Sequence, residues 1–150
     1  LTLQFTEAKM GRIFIIRLHD NDHLPDVLED FAAEQNVSSA VCFLLGGVKP
    51  ESHVIVGPRE SYSLPPEPVI TKLNGTSEVC GLGTIFLDEE RKPKLHMHAS
   101  FGRGEKSLTG CVRAGVDIWH LGEVILIELT DNTAKRAIDE KTGFEFLEVS

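Results

Sequence analysis

The chain has 150 residues, 41% hydrophobic and 25% charged, a balance that excludes a long disordered tail and fits one globular core. A net charge of −8 argues against nucleic acid as the main partner, because phosphate binding rests on Lys and Arg. Three cysteines without a CxxC pair do not make a disulfide framework, and no run approaches the roughly 18 apolar residues of a membrane span.

The opening residues, Leu1 to Thr6, lack a charged start and an apolar core of signal-peptide type, so the expectation is a cytoplasmic protein that is not exported and does not enter a membrane. Gly11-Arg12 opens a β-branched and aromatic run over 13–18 that reads as a buried strand. Leu24, Val27, Leu28, Phe31 and Ala32 then recur at helical spacing, with Asp22 as N-cap and Pro25 in the first turn, giving about three turns ending at Gln35 or Asn36. Residues 39–45 form an apolar strand closed by Gly46-Gly47, and 52–56 form another. Pro65, Pro66 and Pro68 exclude a helix interior or a central strand. Strands are expected at 69–73, 78–87, 94–101, 107–113 and 123–129, with a polar connector at 88–93 and a hairpin loop at 101–106. A helical turn at 133–138 precedes a last strand at 144–149. The expected class is α+β: a largely antiparallel sheet partly covered by one or two helices, in a single domain spanning 1–150.

The most informative run is Leu95-His96-Met97-His98-Ala99-Ser100-Phe101. In an extended strand, His96 and His98 point the same way while Leu95, Met97, Ala99 and Phe101 point into the core. Two imidazoles on one face at that spacing suit a metal ion, and His120 in Trp119-His120-Leu121-Gly122 is the third candidate ligand. Three imidazoles leave one zinc position open, whereas Cys111 as a fourth ligand closes the site and makes it structural. Glu123 is the carboxylate placed to orient His120. His19, His23 and His53 read as exposed strand or loop residues, and Trp119 as a core anchor. No GxSxG, HExxH, Walker A, GxGxxG or zinc-deaminase signature occurs.

These residues resemble the plants-and-prokaryotes-conserved (PPC) domain in its stand-alone prokaryotic form. The likeness covers nearly the whole chain: Gly11-Arg12, Gly46-Gly47, His96-Met97-His98-Ala99-Ser100, Thr109-Gly110, and Gly122-Glu123 leading into Val124-Ile125-Leu126-Ile127. The resemblance implies a trimer with the histidines near subunit contacts, and a DNA-binding role known from plant members that carry a separate AT-hook. This sequence has no AT-hook, because Gly102-Arg103-Gly104 lacks the Arg-Gly-Arg-Pro core. It also departs from the family where prokaryotic members often carry a third histidine, since Cys111 stands at the matching position. A softer ligand there changes the metals the site favours.

The sequence thus predicts a metal-containing PPC protein with Zn²⁺ or a similar ion on His96, His98 and His120. Its alternative is a metal-dependent enzyme acting on a small molecule through metal-activated water, with Glu123 or Lys94 moving protons; no catalytic residue is assigned. A DNA-associated scaffold would have to draw its phosphate contacts from Arg91, Lys92, Lys94, Arg103 and Lys106.

Overall fold

A computed structural model describes residues 2–150. In chain order its elements are β1 Lys9–Leu18, β2 His23–Leu24, α1 Asp26–Glu34, β3 Ser39–Val48, β4 His53–Pro58, β5 Pro68–Lys72, β6 Ser77–Leu87, β7 Pro93–Arg103, β8 Lys106–Cys111, β9 Val116–Thr130, β10 Lys135–Ile138 and β11 Glu145–Glu148. A 3-10 turn, Val112–Ala114, separates β8 from β9. Eight strands lie side by side in the order β1-β9-β3-β6-β7-β8-β4-β5, each antiparallel to its neighbours. The β10–β11 hairpin touches this sheet through one parallel backbone pair, Lys135↔Leu87.

The α+β expectation is therefore corrected: the fold is mainly β, with 56% strand, 8% helix and one α-helix. One local reading caused the excess helix. Residues 133–138 have good helix formers, but Lys135 to Ile138 pair along their length with Glu145 to Glu148, and cross-strand pairing overrides a weak local propensity. The second covering helix is replaced by Val54 of β4, Val112 of the 3-10 turn, and Val116 and Ile118 of β9, all buried in the core.

The long β9 begins at Val116, well before the expected 123, because Trp119, His120 and Leu121 belong to the strand although His120 has a positive φ of 51°. At this level Gly46 of β3 passes so close to Leu121 that a Cβ would collide with its carbonyl oxygen. Gly11-Arg12 has a different basis. The Arg12 guanidinium donates from Nε and Nη2 to the two oxygens of Glu128, both at 2.8 Å, and the Arg12 backbone N–H donates to Oε2 at 3.0 Å. A Cβ on Gly11 would sit 2.8 Å from that carboxylate. Hydrogen bonding to Arg12 holds the Glu128 carboxyl down at about 2.

Helix α1 covers the inner face with Leu28 and Ala32, and Phe31 meets Phe14 of β1 edge-on at 5.2 Å. Pro25 occupies its N-cap position without a side-chain cap, while the Asp22 carboxylate accepts the His19 N–H at 2.7 Å and closes the turn before the helix. The helix stops in a Schellman arrangement: Asn36 is left-handed at φ 56°, the Val37 N–H donates to Ala32 O at 2.8 Å, and buried Val37 seals the end. Glu29 Oε1 accepts the Leu95 N–H at 2.9 Å, tying the helix to β7, the strand with the paired histidines.

Candidate metal centre

Strand β7 alternates as its residues dictate. Leu95, Met97, Ala99 and Phe101 are buried, whereas His96, His98 and Ser100 stand on the outer face. Its register on β6 is set by a pair of glycines: Gly83 lies opposite Met97 and Gly81 opposite Ala99. A Cβ on Gly83 would come to 3.0 Å from Met97 Cβ and 3.1 Å from Cys42 Sγ, so the methionine fills space that side chains on β6 would occupy. On the other side His98 pairs with Cys111 of β8. The turn between these two strands is short, Gly104 and Glu105 between the paired Arg103 and Lys106, with Gly104 at φ 62°.

This ladder brings three donors together. His96 Nε2 and His98 Nε2 are 3.2 Å apart, their rings nearly perpendicular at 89°, and the Cys111 thiol completes a group whose ligand atoms all lie within 4.8 Å of one another. Two nitrogens bound at about 2.0 to 2.1 Å with a tetrahedral angle are separated by about 3.3 Å, so the observed spacing fits a shared ion without rearrangement of the pair. With the proton on Nε2 of one ring and on Nδ1 of the other, this contact is an N–H···N hydrogen bond. Partial burial, then the charges of Arg136, His98 and Arg113, lowers the His96 pKa, which favours the neutral imidazole that metal ligation requires. Beside the group, Ser100 Oγ and Thr109 Oγ1 are 2.7 Å apart.

Of the expected ligands, His96 and His98 meet; His120 stands elsewhere in the same chain. Strand β9 is separated from β7 by β3 and β6, about 14 Å at the usual strand spacing. The His120 backbone N–H donates to Asp20 Oδ1 at 2.9 Å, and its side chain is 64% exposed. Asp20, rather than Glu123, is the carboxylate beside it. His23 Nδ1 contacts Asp117 Oδ1 at 2.7 Å, and His53 lies exposed on β4. Trp119 is 41% exposed and lines a cleft of about 240 Å³ with Arg103 and Gly47, away from the histidines.

The outer face has an order that local sequence does not display. One cross-strand row runs Ile15, Ile125, Phe43, Leu82, His98, Cys111 over β1, β9, β3, β6, β7 and β8. Its apolar members remain open: Ile15 is 86% exposed, Leu82 57% and Phe43 45%. The His96–His98–Cys111 group therefore ends a stripe of uncovered hydrophobic side chains. The next row runs Ile13, Ile127, Val41, Thr84, His96. Thr84 accepts a hydrogen bond from Arg136 Nη2 of β10 at 2.8 Å. Arg136 carries no motif in the sequence, and only the hairpin's placement reveals it.

Residues 5–130 match the Plants and Prokaryotes Conserved (PCC) domain. The chain belongs to this family. The structure of a PPC protein from Pyrococcus horikoshii superposes with a TM-score of 0.84 at 20% identity, covering 97% of both chains. A metal-containing protein from Archaeoglobus fulgidus gives 0.83 at 22% identity over 97% of this chain and 99% of that one. A proposed DNA-binding protein from Ralstonia eutropha gives 0.71 at 18% identity, covering 91% and 90%. No curated protein matches this sequence. At these identities the solved structures establish a shared PPC fold. The matched region includes both histidines and Cys111 but ends before β10, so Arg136 lies outside it. Among the described residues no helix is long and apolar enough to cross a membrane.

Proposed function

We propose that this PPC domain is a metal-binding protein acting as a homotrimer over residues 1–150 in the reducing cytoplasm, with a divalent ion, zinc foremost, on His96, His98 and Cys111. The observation that carries this reading is the convergence of two imidazoles and a thiol within 4.8 Å. Imidazole with thiolate suits zinc and softer ions. The metal-containing Archaeoglobus fulgidus protein of the same fold supports it. The trimer reading is supported by the family resemblance and by the open apolar row, since contiguous exposed patches of this kind mark interaction surfaces. In such an assembly His120 enters the site only from a neighbouring copy.

A second reading, a metal-dependent enzyme for a small molecule, is favoured by the number of donors: three from one chain leave a fourth tetrahedral position for a small ligand, and Lys94 shares the outer face of β7 with His96. The bound ion would supply Lewis acidity there. DNA binding is less well supported. Arg91, Lys92 and Lys94 lie at one end of β7 and Arg103 and Lys106 at the other, about 30 Å apart, so they do not form one phosphate track.

The test is the metal content and mass of untagged protein purified without added metal, for wild type, His98→Ala, Cys111→Ser and His120→Ala. Near-stoichiometric metal in wild type and His120→Ala, lost in His98→Ala, with a mass three times that of the chain, is the expected result. Well-folded wild type without metal and unable to take up zinc overturns the metal reading; retention in His98→Ala and loss in His120→Ala overturns the ligand set.

A further inference from the structure

Arg136 presents a problem that the metal reading does not solve. It is 5% exposed, the one buried residue of β10. Its Nη2 donates to Thr84 Oγ1 at 2.8 Å and its guanidinium carbon lies 5.5 Å from the centre of the Phe86 ring, yet its Nε has no hydrogen-bond partner. It takes part in none of the ion pairs among the described residues. Glu145 at the start of β11 is the acidic group whose charge reaches it, without closing to an ion pair. A buried guanidinium with an orphaned donor and no carboxylate is costly, and such a group calls for a partner.

Its position says where that partner comes from. Thr84 pairs directly with His96 across β6 and β7, and both point outward, so the guanidinium is held one side chain from the imidazole pair. Arg113 adds a second positive charge just beyond Cys111. A planar fork of N–H donors is matched by carboxylate or phosphate oxygens.

We infer that Arg136 is the anion-binding group of a ligand site beside His96, His98 and Cys111, taking a small molecule that carries a carboxylate or a phosphate. The inference rests on the metal reading for the ligand's second anchor, the open coordination position. Thr84 is a positioning residue that aims the guanidinium. The β10–β11 hairpin, attached by one backbone pair, brings the arginine onto Thr84 and over the Phe86 ring on the outer face of β6.

The experiment is calorimetric titration of zinc-loaded protein with inorganic phosphate and, separately, propionate, followed by the same titrations of Arg136→Met, Arg136→Lys and Thr84→Val, with metal content and mass measured for each. Cobalt-loaded samples give a second readout, because an anion entering the open position shifts the visible absorption. The expected result is binding of at least one anion, weakened about 10- to 100-fold in Arg136→Met, partly restored in Arg136→Lys and reduced less in Thr84→Val. The anion bound more tightly identifies the class. Equal binding by folded Arg136→Met or Arg136→Lys and wild type overturns the inference, as does no binding of either anion by wild type. A variant that binds anions normally but no longer assembles overturns it too, and assigns Arg136 to the contact between copies. If wild type holds no zinc, the metal reading fails by itself, and the anion site is judged on the metal-free titrations and the same variants.

Discussion

Met97→Ala removes the floor of the histidine pair, and the structure sets the size of the effect. Met97 is fully buried, packed into the notch formed by Gly81 and Gly83, with Cys42, Leu44 and Leu95 around it. Truncation deletes three groups beyond Cβ, a transfer loss of about 2.4 kcal/mol at about 0.8 kcal/mol each. Two walls of the notch are glycine backbone with no side chain to move in. A residual void of about 40 Å³ then adds about 1 kcal/mol at roughly 24 cal/mol per Å³. The expected cost is about 3 kcal/mol, or a drop of about 1.5 M in the urea midpoint for a slope of about 2 kcal/mol/M. The assay is urea unfolding followed by circular dichroism on metal-free protein at fixed concentration, since assembly would make the midpoint concentration-dependent. Met97→Leu, which nearly conserves volume, should lose less than about 1.5 kcal/mol. A midpoint shift under about 0.5 M for the alanine variant, or an equal loss for both, would refute the reasoning that this side chain fills the glycine notch.

The Glu128 carboxyl is held at about 2 against an ordinary value of 4.5, so its stabilising contribution is complete above about 4.5 and is lost as pH falls towards 2. Glu128→Gln should be less stable at neutral pH and show a shallower decline across that window in acid unfolding; an unchanged acid slope would sink the assignment. Burial pushes the Cys42 thiol up to about 12, whereas Cys80 is exposed on β6, so native protein should modify Cys80 readily and leave Cys42 untouched until unfolding, read by mass spectrometry of labelled peptides. Early labelling of Cys42 would contradict its enclosure. Cobalt-loaded wild type should show a near-ultraviolet thiolate-to-metal band that Cys111→Ser lacks; a band that survives the substitution excludes Cys111 as a ligand.

The outward pair His96 and His98 was legible because strand alternation is local: each residue's face follows from its neighbours two positions away. Cys111 was legible as a candidate, but its meeting with His98 depends on the β7–β8 register. His120 shows the limit of such reading. Its spacing in sequence gives no hint that β3 and β6 intervene between β9 and β7, because strand order is a product of distant pairings. The helix over 26–34 was visible from its period, yet its cap was not: Asp22 found a nearer backbone donor at His19. Residues 133–138 have a composition that suits a helix, whereas the strand partners of 135–138, residues 145–148, lie beyond a turn. Arg136 was invisible, since its importance comes from what fails to surround it.

The two-residue turn of Gly104 and Glu105 carries a consequence for how this family can vary. Side-chain direction in a ladder has parity. An insertion absorbed by sliding β8 one position would bring Gly110 or Val112 opposite His98 and turn the thiol into the core; a slide of two would present Thr109 or Arg113 instead. The side chain that faces His98 is thus set by the length of a turn some distance from it. Sequence change there alters what faces His98 in whole steps: an odd shift turns Cys111 inward, and an even one sets Thr109 or Arg113 opposite His98 in its place.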